Sequence, residues 1–281
     1  MANVGVVTVT YHSAAVIGQC LSSLRTASRS PIEVVVVDNA SADDSVGAAR
    51  RADPSAVVIG NPTNDGYGAA NNSGVAALDP ATEFVLFANP DTSWPEGSID
   101  ALVAQVQDPT IGLISPTLVD AFGAAQPIVE DDLALAPVLR GMTRLGRPIR
   151  PRAPVAGSTD VEWLHTAAAL VPMDVVRAIG GFDERFFLFA EDADFCRRVR
   201  ALGRRVVITP DVRVEHIGGA SRDASHDADA LAGMRTRALA TYLDKYDGAV
   251  ARRVFGAVGT VVYGLGRHRG QAREAWKALT R

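Results

Sequence analysis

The chain has 281 residues, 47% of them hydrophobic and 21% charged, a globular composition long enough for one large α/β domain or two small ones. A net charge of −4 argues against a general nucleic-acid binder. Two cysteines without framework spacing, Cys20 and Cys196, argue against a disulfide scaffold and read as free thiols in a reducing compartment.

Met1-Ala2-Asn3 runs straight into a strand pattern, so no secretory leader is expected and the cytoplasm is the default location. Val4 to Val9 is a continuous apolar run, as for a strand buried on both faces of a parallel sheet. Thr10-Tyr11-His12-Ser13 ends it, and Ser13 is the expected N-cap of a helix carrying Val16, Ile17, Cys20, Leu21 and Leu24. Ile32 to Val37 predicts the second strand, stopping at Asp38-Asn39-Ala40-Ser41, with a helix from about Asp44. Ala56 to Ile59 predicts the third. The loop Asn61-Pro62-Thr63-Asn64-Asp65-Gly66-Tyr67-Gly68 leads to a small-residue helix from Ala69 to Leu78, and Phe84 to Ala88 predicts the fourth strand. This alternation is the signature of βαβ units and an open, mostly parallel sheet.

In such sheets ligands bind beyond the carboxyl ends of the strands. Thr10 and Tyr11, Asp38 and Asn39, and Asn89-Pro90-Asp91-Thr92 all fall there. Singly each reads as a turn former or cap; together they suggest a nucleotide site. A G-x-G-x-x-G after the first strand and a P-loop lysine are both missing, which removes the usual support for dinucleotide and ATP-phosphate binding.

A helix over Ser98 to Val106 and a strand near Gly112 to Ser115 follow. Residues 120–160, rich in Pro and Arg, are expected to form a long surface loop of the kind that folds over a substrate. Trp163 to Val171 is apolar apart from His165-Thr166, and Asp174 starts a short helix ending at Gly180. Gly180-Gly181 then turns the chain into an aromatic run that ends in Glu191, Asp192 and Asp194. These acids open a helix with an apolar stripe of Phe195, Val199 and Leu202, and with Arg197, Arg198 and Arg200 near its end, as the helix dipole favours. Asp194 reads as a surface partner of Arg197 or Arg198. Asp192, three residues before Phe195, points inward and reads either as a structural acid or as a general base. Strands over Val206 to Thr209 and Val212 to Val214 lead to Glu215-His216.

Leu231 to Tyr246 predicts a helix, and Val254 to Gly266 is an uncharged run of 13 residues, shorter than the roughly 17–25 a membrane span needs. Residues 251–281 carry seven basic side chains (Arg252, Arg253, Arg267, Arg269, Arg273, Lys277 and Arg281) against Glu274, so a tail of +6 hangs on a body of −10. Two expectations stand for it: a helix packed on the body or on a second subunit, making a homodimer, or an interfacial segment docking on anionic lipid.

VTVTYHS, VVVVDNAS, NPTNDGYGAANN, FANPDTSW, GGFDERFFLFAEDADFCRRV and VEHIGGAS, in this order, resemble the family 2 glycosyltransferases of the GT-A fold, nearest their bacterial rhamnosyltransferase-like branch. The resemblance covers residues 4–221. It implies a GT-A domain over 1–221, split into a nucleotide-binding half (1–116) and an acceptor and catalytic half (117–221), with a basic helical extension over 222–281. It further implies that Thr10, Tyr11, Asp38, Asn39, Asn64, Gly66, Asn71, Asn89 and Asp91 hold a nucleotide-diphosphate sugar. Gly66 and Gly68 would let backbone approach that ligand closely. Asn89-Pro90-Asp91 stands at the family's D-x-D motif with its first acid replaced, so Asp91, joined by His216, would bind Mg2+ or Mn2+. Asp192 matches the catalytic base, beside Glu191, which positions or caps. Trp163, His165 and Thr166 fall on the acceptor side, and Arg222 could meet a phosphate.

The implied reaction is a single displacement with inversion onto a glycan or polyprenyl-linked acceptor, at the inner face of the plasma membrane if the tail docks there. The resemblance favours dTDP-L-rhamnose as donor, with UDP-hexose or UDP-galactofuranose behind it. A non-catalytic nucleotide-sugar-binding relative is the competing class, permitted by Asn89. A nucleotidyltransferase would need a glycine-rich signature with a nearby basic residue, whereas no lysine precedes Lys245.

Overall fold

The computed structural model describes residues 3–126, 133–143, 158–218, 228–265 and 269–280. The first half is the expected βαβ succession: β1 (Val4–Thr10), α1 (Ile17–Ala27), β2 (Glu33–Asp38), α2 (Ser45–Ala52), β3 (Val57–Gly60), α3 (Tyr67–Ala76) and β4 (Phe84–Ala88). β5 (Thr92–Ser93), α4 (Ser98–Val106) and β6 (Ile111–Val119) follow. Next come α5 (Leu135–Thr143), β7 (Thr159–Asp160), β8 (Ala168–Pro172), α6 (Met173–Ile179), α7 (Glu191–Ala201) and β9 (Arg205–His216). The chain closes with α8 (Ala228–Leu265) and α9 (Arg269–Thr280).

The nine described strands form one sheet in the order β3-β2-β1-β4-β8-β6-β9-β5, with β7 on β9. β3, β2, β1 and β4 are parallel, whereas β8 runs antiparallel to both β4 and β6. The inner strands are apolar on both faces because both faces are covered. Val4, Val6, Val34, Val36 and Leu86 pack with α1 and α4 on one side. Val7, Val9, Val35, Val37 and Phe87 pack with Phe182 and Phe195 on the other. Cys20 and Cys196 are free and buried within these layers, and burial pushes both thiols up to about 12, which leaves them inert.

Several expectations change. Ser13 does not cap α1 with its side chain; the helix starts at Ile17 after a turn in which the Ser13 carbonyl accepts from Val16 and Ile17 N–H. Residues 206–214 form one strand rather than two, because a register shift opposite Pro116/Thr117 absorbs the Pro210 interruption. The segment 120–160 is not wholly a loop, since α5 and β7 lie in it; residues 127–132 and 144–157 lie outside the described residues. Leu202 is 46% exposed, so the buried stripe of α7 ends at Val199.

The expected C-terminal helix and uncharged run are one helical stretch broken at Gly248 (φ 83°, ψ 173°), a conformation open to glycine. Beyond the break, α8 lies against α9 so closely that a Cβ on Gly256 would sit 2.4 Å from the Leu279 nitrogen. Phe255, Ala278, Leu243 and Val138 join α8, α9 and α5 in a separate apolar cluster. Among the described residues no helix is long and apolar enough to cross a membrane. The 221/222 boundary, Arg222, Gly266 and Arg267 lie outside the described residues.

Candidate active site

Beyond the carboxyl ends of β1 and β4 lies a crevice of about 520 Å3, within the usual range for small-molecule sites. Two groups of side chains meet in it. One comes from the strand ends and the α3 loop: Tyr11, Asn39, Asn64, Gly66, Asn89 and Asp91, with His216 from β9. The other comes from the loop that leads into β8 and from the start of α7: Trp163, His165, Thr166, Glu191 and Asp192. Thr10, Asp38 and Asn71 stand behind this lining. Thr10 Oγ1 donates to Asp38 Oδ1 at 2.7 Å, and Ser41 donates from its hydroxyl and its N–H to the same carboxylate at 2.6 and 2.9 Å. Asn71 Nδ2 donates back to the Tyr67 carbonyl at 2.9 Å. The three brace the wall rather than face the cavity.

The α3 loop is held by its own hydrogen bonds. Asn39 Nδ2 donates to the Gly66 carbonyl at 3.0 Å, Asn61 Nδ2 to Asn39 Oδ1 at 2.8 Å, and Gly66 N–H to Asn64 Oδ1 at 3.0 Å. Gly66 is needed for a reason other than ligand approach. Its φ is 92°, and a Cβ there would lie 2.4 Å from the Phe187 carbonyl oxygen. That carbonyl accepts from Tyr67 N–H at 3.0 Å. At Gly68 the near neighbour is the Phe182 Cβ, 3.0 Å from the built position. Both glycines therefore admit the aromatic segment that precedes α7.

Asp91 and His216, 125 positions apart in sequence, are neighbours because β5 pairs antiparallel with β9 in the register Thr92↔His216. His216 Nε2 lies 3.5 Å from Asp91 Oδ1. Gln126 sets the ring: its Nε2 donates to the His216 carbonyl at 2.6 Å, which leaves its Oε1 to accept from His216 Nδ1 at 2.9 Å. With Nδ1 donating to Gln126, Nε2 is the ring atom left facing the Asp91 carboxylate, an arrangement suited to a cation between them. Asn89 Oδ1 is buried without a hydrogen-bond partner. Asn89, Asp91 and His216 thus offer an amide oxygen, a carboxylate and an imidazole, a donor set that fits a divalent cation sharing its shell with ligand oxygens. Among the described residues no group of three or more His, Cys, Asp and Glu could hold a metal alone.

Asp192, in the first turn of α7, is gripped from the loop that leads into β8. Thr166 donates to its Oδ1 from both hydroxyl and N–H, the latter at 3.2 Å, and His165 Nδ1 lies 3.1 Å from Oδ2. His165 is edge-on to Trp163, with ring centroids 5.4 Å apart. Tyr67 reaches the same corner, donating to the Thr166 carbonyl at 3.2 Å.

Glu191, beside it, is buried and one of its oxygens, Oε2, has no hydrogen-bond partner. Burial, then the charge of Asp192, pushes its carboxyl well above the ordinary value of 4.5, so it favours the neutral form. It does not cap α7. Ala190 occupies that position without a side-chain bond, and Phe189 and Ala190 both have positive φ, 71° and 62°. Two consecutive non-glycine residues in the left-handed region mark strain, which concentrates at functional sites.

Asp194 is the clearest departure from expectation. It is not a surface partner but fully buried, salt-bridged to Arg198 at 2.8 Å and to Lys245, and accepting from Tyr246 at 2.7 Å. Lys245 also bonds Asp183 at 2.7 Å, whose carboxyl is held far below the usual range, chiefly by Arg185, with Lys245 adding to it. α8 is thereby tied both to the Gly-Gly-Phe-Asp turn and to α7.

Residues 5–162 match the Glycosyl transferase family 2 profile. The chain belongs to glycosyltransferase family 2. The enzyme is 32% identical over 231 residues to N-acetylglucosaminyl-diphospho-decaprenol L-rhamnosyltransferase of Mycobacterium tuberculosis, covering 75% of each chain. Its fold matches a Pyrobaculum calidifontis mannosyltransferase in complex with GDP-Man and Mn2+ at a TM-score of 0.58, with 20% identity, across 98% of this chain and 73% of that one. It also matches GalNAc-T7 with UDP, GalNAc and Mn2+ at a TM-score of 0.62, with 14% identity, across 91% and 51%. The expected GT-A fold with C-terminal helices is thus the fold of this glycosyltransferase.

Sequence reasoning missed Gln126, Tyr67, Asn72 and Arg235. Asn72 accepts from Phe182 N–H and donates to its carbonyl, at 2.8 and 2.9 Å, fastening the aromatic segment to α3. Arg235 and Leu239 of α8 line the crevice. Nothing in the local pattern signals these residues, because each acts on a partner at least 46 positions away.

Proposed function

We propose that the glycosyltransferase moves L-rhamnose from dTDP-L-rhamnose to a hydroxyl of a lipid-linked glycan, in a single displacement with inversion. One observation carries this reading: a single crevice contains both the Asp91–His216 pair and an oriented Asp192 carboxylate. Tyr11, Asn39 and Asn64 would seat the nucleoside. Asn89, Asp91 and His216 would hold Mg2+ or Mn2+, which when bound neutralises charge developing on the diphosphate leaving group. Asp192 takes the acceptor proton as the hydroxyl oxygen attacks the anomeric carbon. Thr166 and His165 fix the direction of its lone pairs. Glu191, neutral, donates to a sugar hydroxyl without adding a second negative charge beside the base. The likeness to a decaprenyl-diphosphate-linked rhamnosyltransferase supports both the donor and the acceptor class.

Asp192→Asn tests the assignment: transfer should vanish while dTDP-rhamnose binding stays near wild type, and normal turnover would refute Asp192 as base. Activity in excess chelator equal to that in Mg2+ or Mn2+ would remove the metal role. A thermal-shift panel of dTDP- and UDP-sugars decides the donor, since the true donor stabilises by mass action.

The same reading places the enzyme on the cytoplasmic face of the membrane, with residues 1–116 serving the donor, 117–221 the acceptor, and 222–281 attachment. Val250, Val254, Val261 and Leu265, exposed between 39% and 83%, recur on one face of α8 beyond Gly248, beside exposed Arg253. An apolar stripe with basic neighbours suits an anionic lipid surface.

A further inference from the structure

Tyr67 is the first residue of α3 and follows the loop on the strand-end side of the crevice, yet its N–H and its hydroxyl both bond the opposite side. The N–H donates to the Phe187 carbonyl at 3.0 Å, and the hydroxyl donates to the Thr166 carbonyl at 3.2 Å, 99 positions along the chain. Thr166 is fully buried and grips Asp192 through its hydroxyl and, at 3.2 Å, through its N–H. On the near side, Gly66 accepts from Asn39 Nδ2 at its carbonyl and donates from its N–H to Asn64 Oδ1, both at 3.0 Å. Asn39 and Asn64 line the crevice. A chain of bonded groups therefore runs from these two amides, through Gly66 and Tyr67, to Thr166 and the Asp192 carboxylate. Burial, then the charge of Asp192, pushes the Tyr67 phenol above its ordinary value of 10, so the hydroxyl keeps its proton and stays a donor. The ring meets Phe182 edge-on, with centroids 5.9 Å apart, and Tyr67→Phe leaves that packing in place. Ala167 is held separately, its carbonyl accepting from Asn89 N–H at 2.8 Å.

We propose that Tyr67 is a positioning residue that couples the two sides of the crevice: a nucleotide seated on Asn39 and Asn64 steadies Gly66 and Tyr67, and Tyr67 in turn fixes Thr166 and the aim of Asp192. This rests on the preceding reading of a nucleotide seat and a catalytic base, and supplies the link between them. Packed, hydrogen-bonded groups in series are the physical means by which such coupling travels. The base is held most firmly when the donor is in place, which is when a fixed carboxylate contributes to the reaction. The coupling is reciprocal, so an acceptor that orders Thr166 and Asp192 tightens the nucleotide in turn.

The Thr166 amide hydrogen is itself a bond to Asp192 Oδ1, so its exchange with solvent reports how firmly the base is held. The test follows amide exchange at Thr166 and Gly66 by NMR in the full chain, with and without saturating dTDP or UDP in Mg2+, using whichever nucleotide binds more tightly in calorimetry. In the wild type the nucleotide should slow exchange at both amides. Tyr67→Phe without nucleotide should exchange Thr166 about fivefold faster, the worth of one neutral hydrogen bond. Its nucleotide affinity should stay within about threefold of wild type, and slowing at Gly66 should persist while slowing at Thr166 is lost. The proposal is overturned if the nucleotide leaves Thr166 exchange unchanged in the wild type, or if it slows Thr166 equally in Tyr67→Phe. It is overturned too if that variant no longer binds the nucleotide, which would make Tyr67 a binding residue instead. Binding of neither nucleotide by the wild type would refute the donor seat and the coupling with it. Normal turnover by Asp192→Asn, with the exchange coupling intact in the wild type, would refute Asp192 as base and keep the link through Tyr67.

Discussion

Asp192 and Glu191 are adjacent acids with opposite surroundings. Asp192 receives donors from Thr166 and His165, whereas Glu191 has a buried oxygen with none. The first environment fixes a carboxylate in space, and the second favours a neutral acid. A raised folded-state value means that, above the unfolded value of 4.5, the native state keeps a proton the unfolded chain has lost. This contribution is fully present below that value and is lost as pH rises through the folded value. Glu191→Gln keeps the shape without the titration. Its unfolding midpoint should exceed that of wild type increasingly as pH rises, in a thermal series from about pH 4 to pH 9. His165→Ala should lower kcat by about ten- to a hundredfold through misplacement of Asp192, with dTDP-sugar binding unchanged in titration.

At the scale of elements, α7 is located by what it is bolted to. Asp194 at its buried face bonds Arg198 within the helix and Lys245 and Tyr246 of α8. Removing Lys245 leaves Asp194 and Asp183 short of a cation in the interior, and Lys245→Ala should cost about 3–5 kcal/mol in urea unfolding. The exposed pair Arg51–Asp44 provides the contrast, and Arg51→Ala should stay within about 0.5 kcal/mol. The aromatic segment before α7 is located in the same way by Gly66. Gly66→Ala meets both a positive φ and the Phe187 carbonyl, so it should destabilise by about 1–3 kcal/mol and weaken activity by shifting Phe187–Ala190.

At the scale of the molecule, α8 serves two regions from one helix. Before Gly248 it supplies Arg235 and Leu239 to the crevice and Lys245 to the buried network; beyond it, it turns Val250, Val254 and Val261 outward. Val254→Glu with Val261→Glu should abolish co-sedimentation with anionic vesicles while leaving turnover of a soluble acceptor intact. Loss of a dimer by light scattering, with vesicle binding unchanged, would assign the stripe to a second subunit instead.

The sequence by itself determined the four parallel strands β1 to β4 and the polar residues at their carboxyl ends. Doubly buried strands must be apolar throughout, and strand ends need turn residues, so Val4–Val9, Asp38-Asn39 and Asn89-Pro90-Asp91 were legible locally. It also marked Asp192, through the order of six motifs rather than through the helix alone. Only the tertiary structure decided the rest. The burial of Asp194, the tautomer set on His216 by Gln126, the orphaned oxygen of Glu191 and the entry of Arg235 into the crevice all depend on partners far away in sequence. An acid at a helix start has the same local pattern whether water or Lys245 lies opposite it, and only the fold brings that opposite group into place.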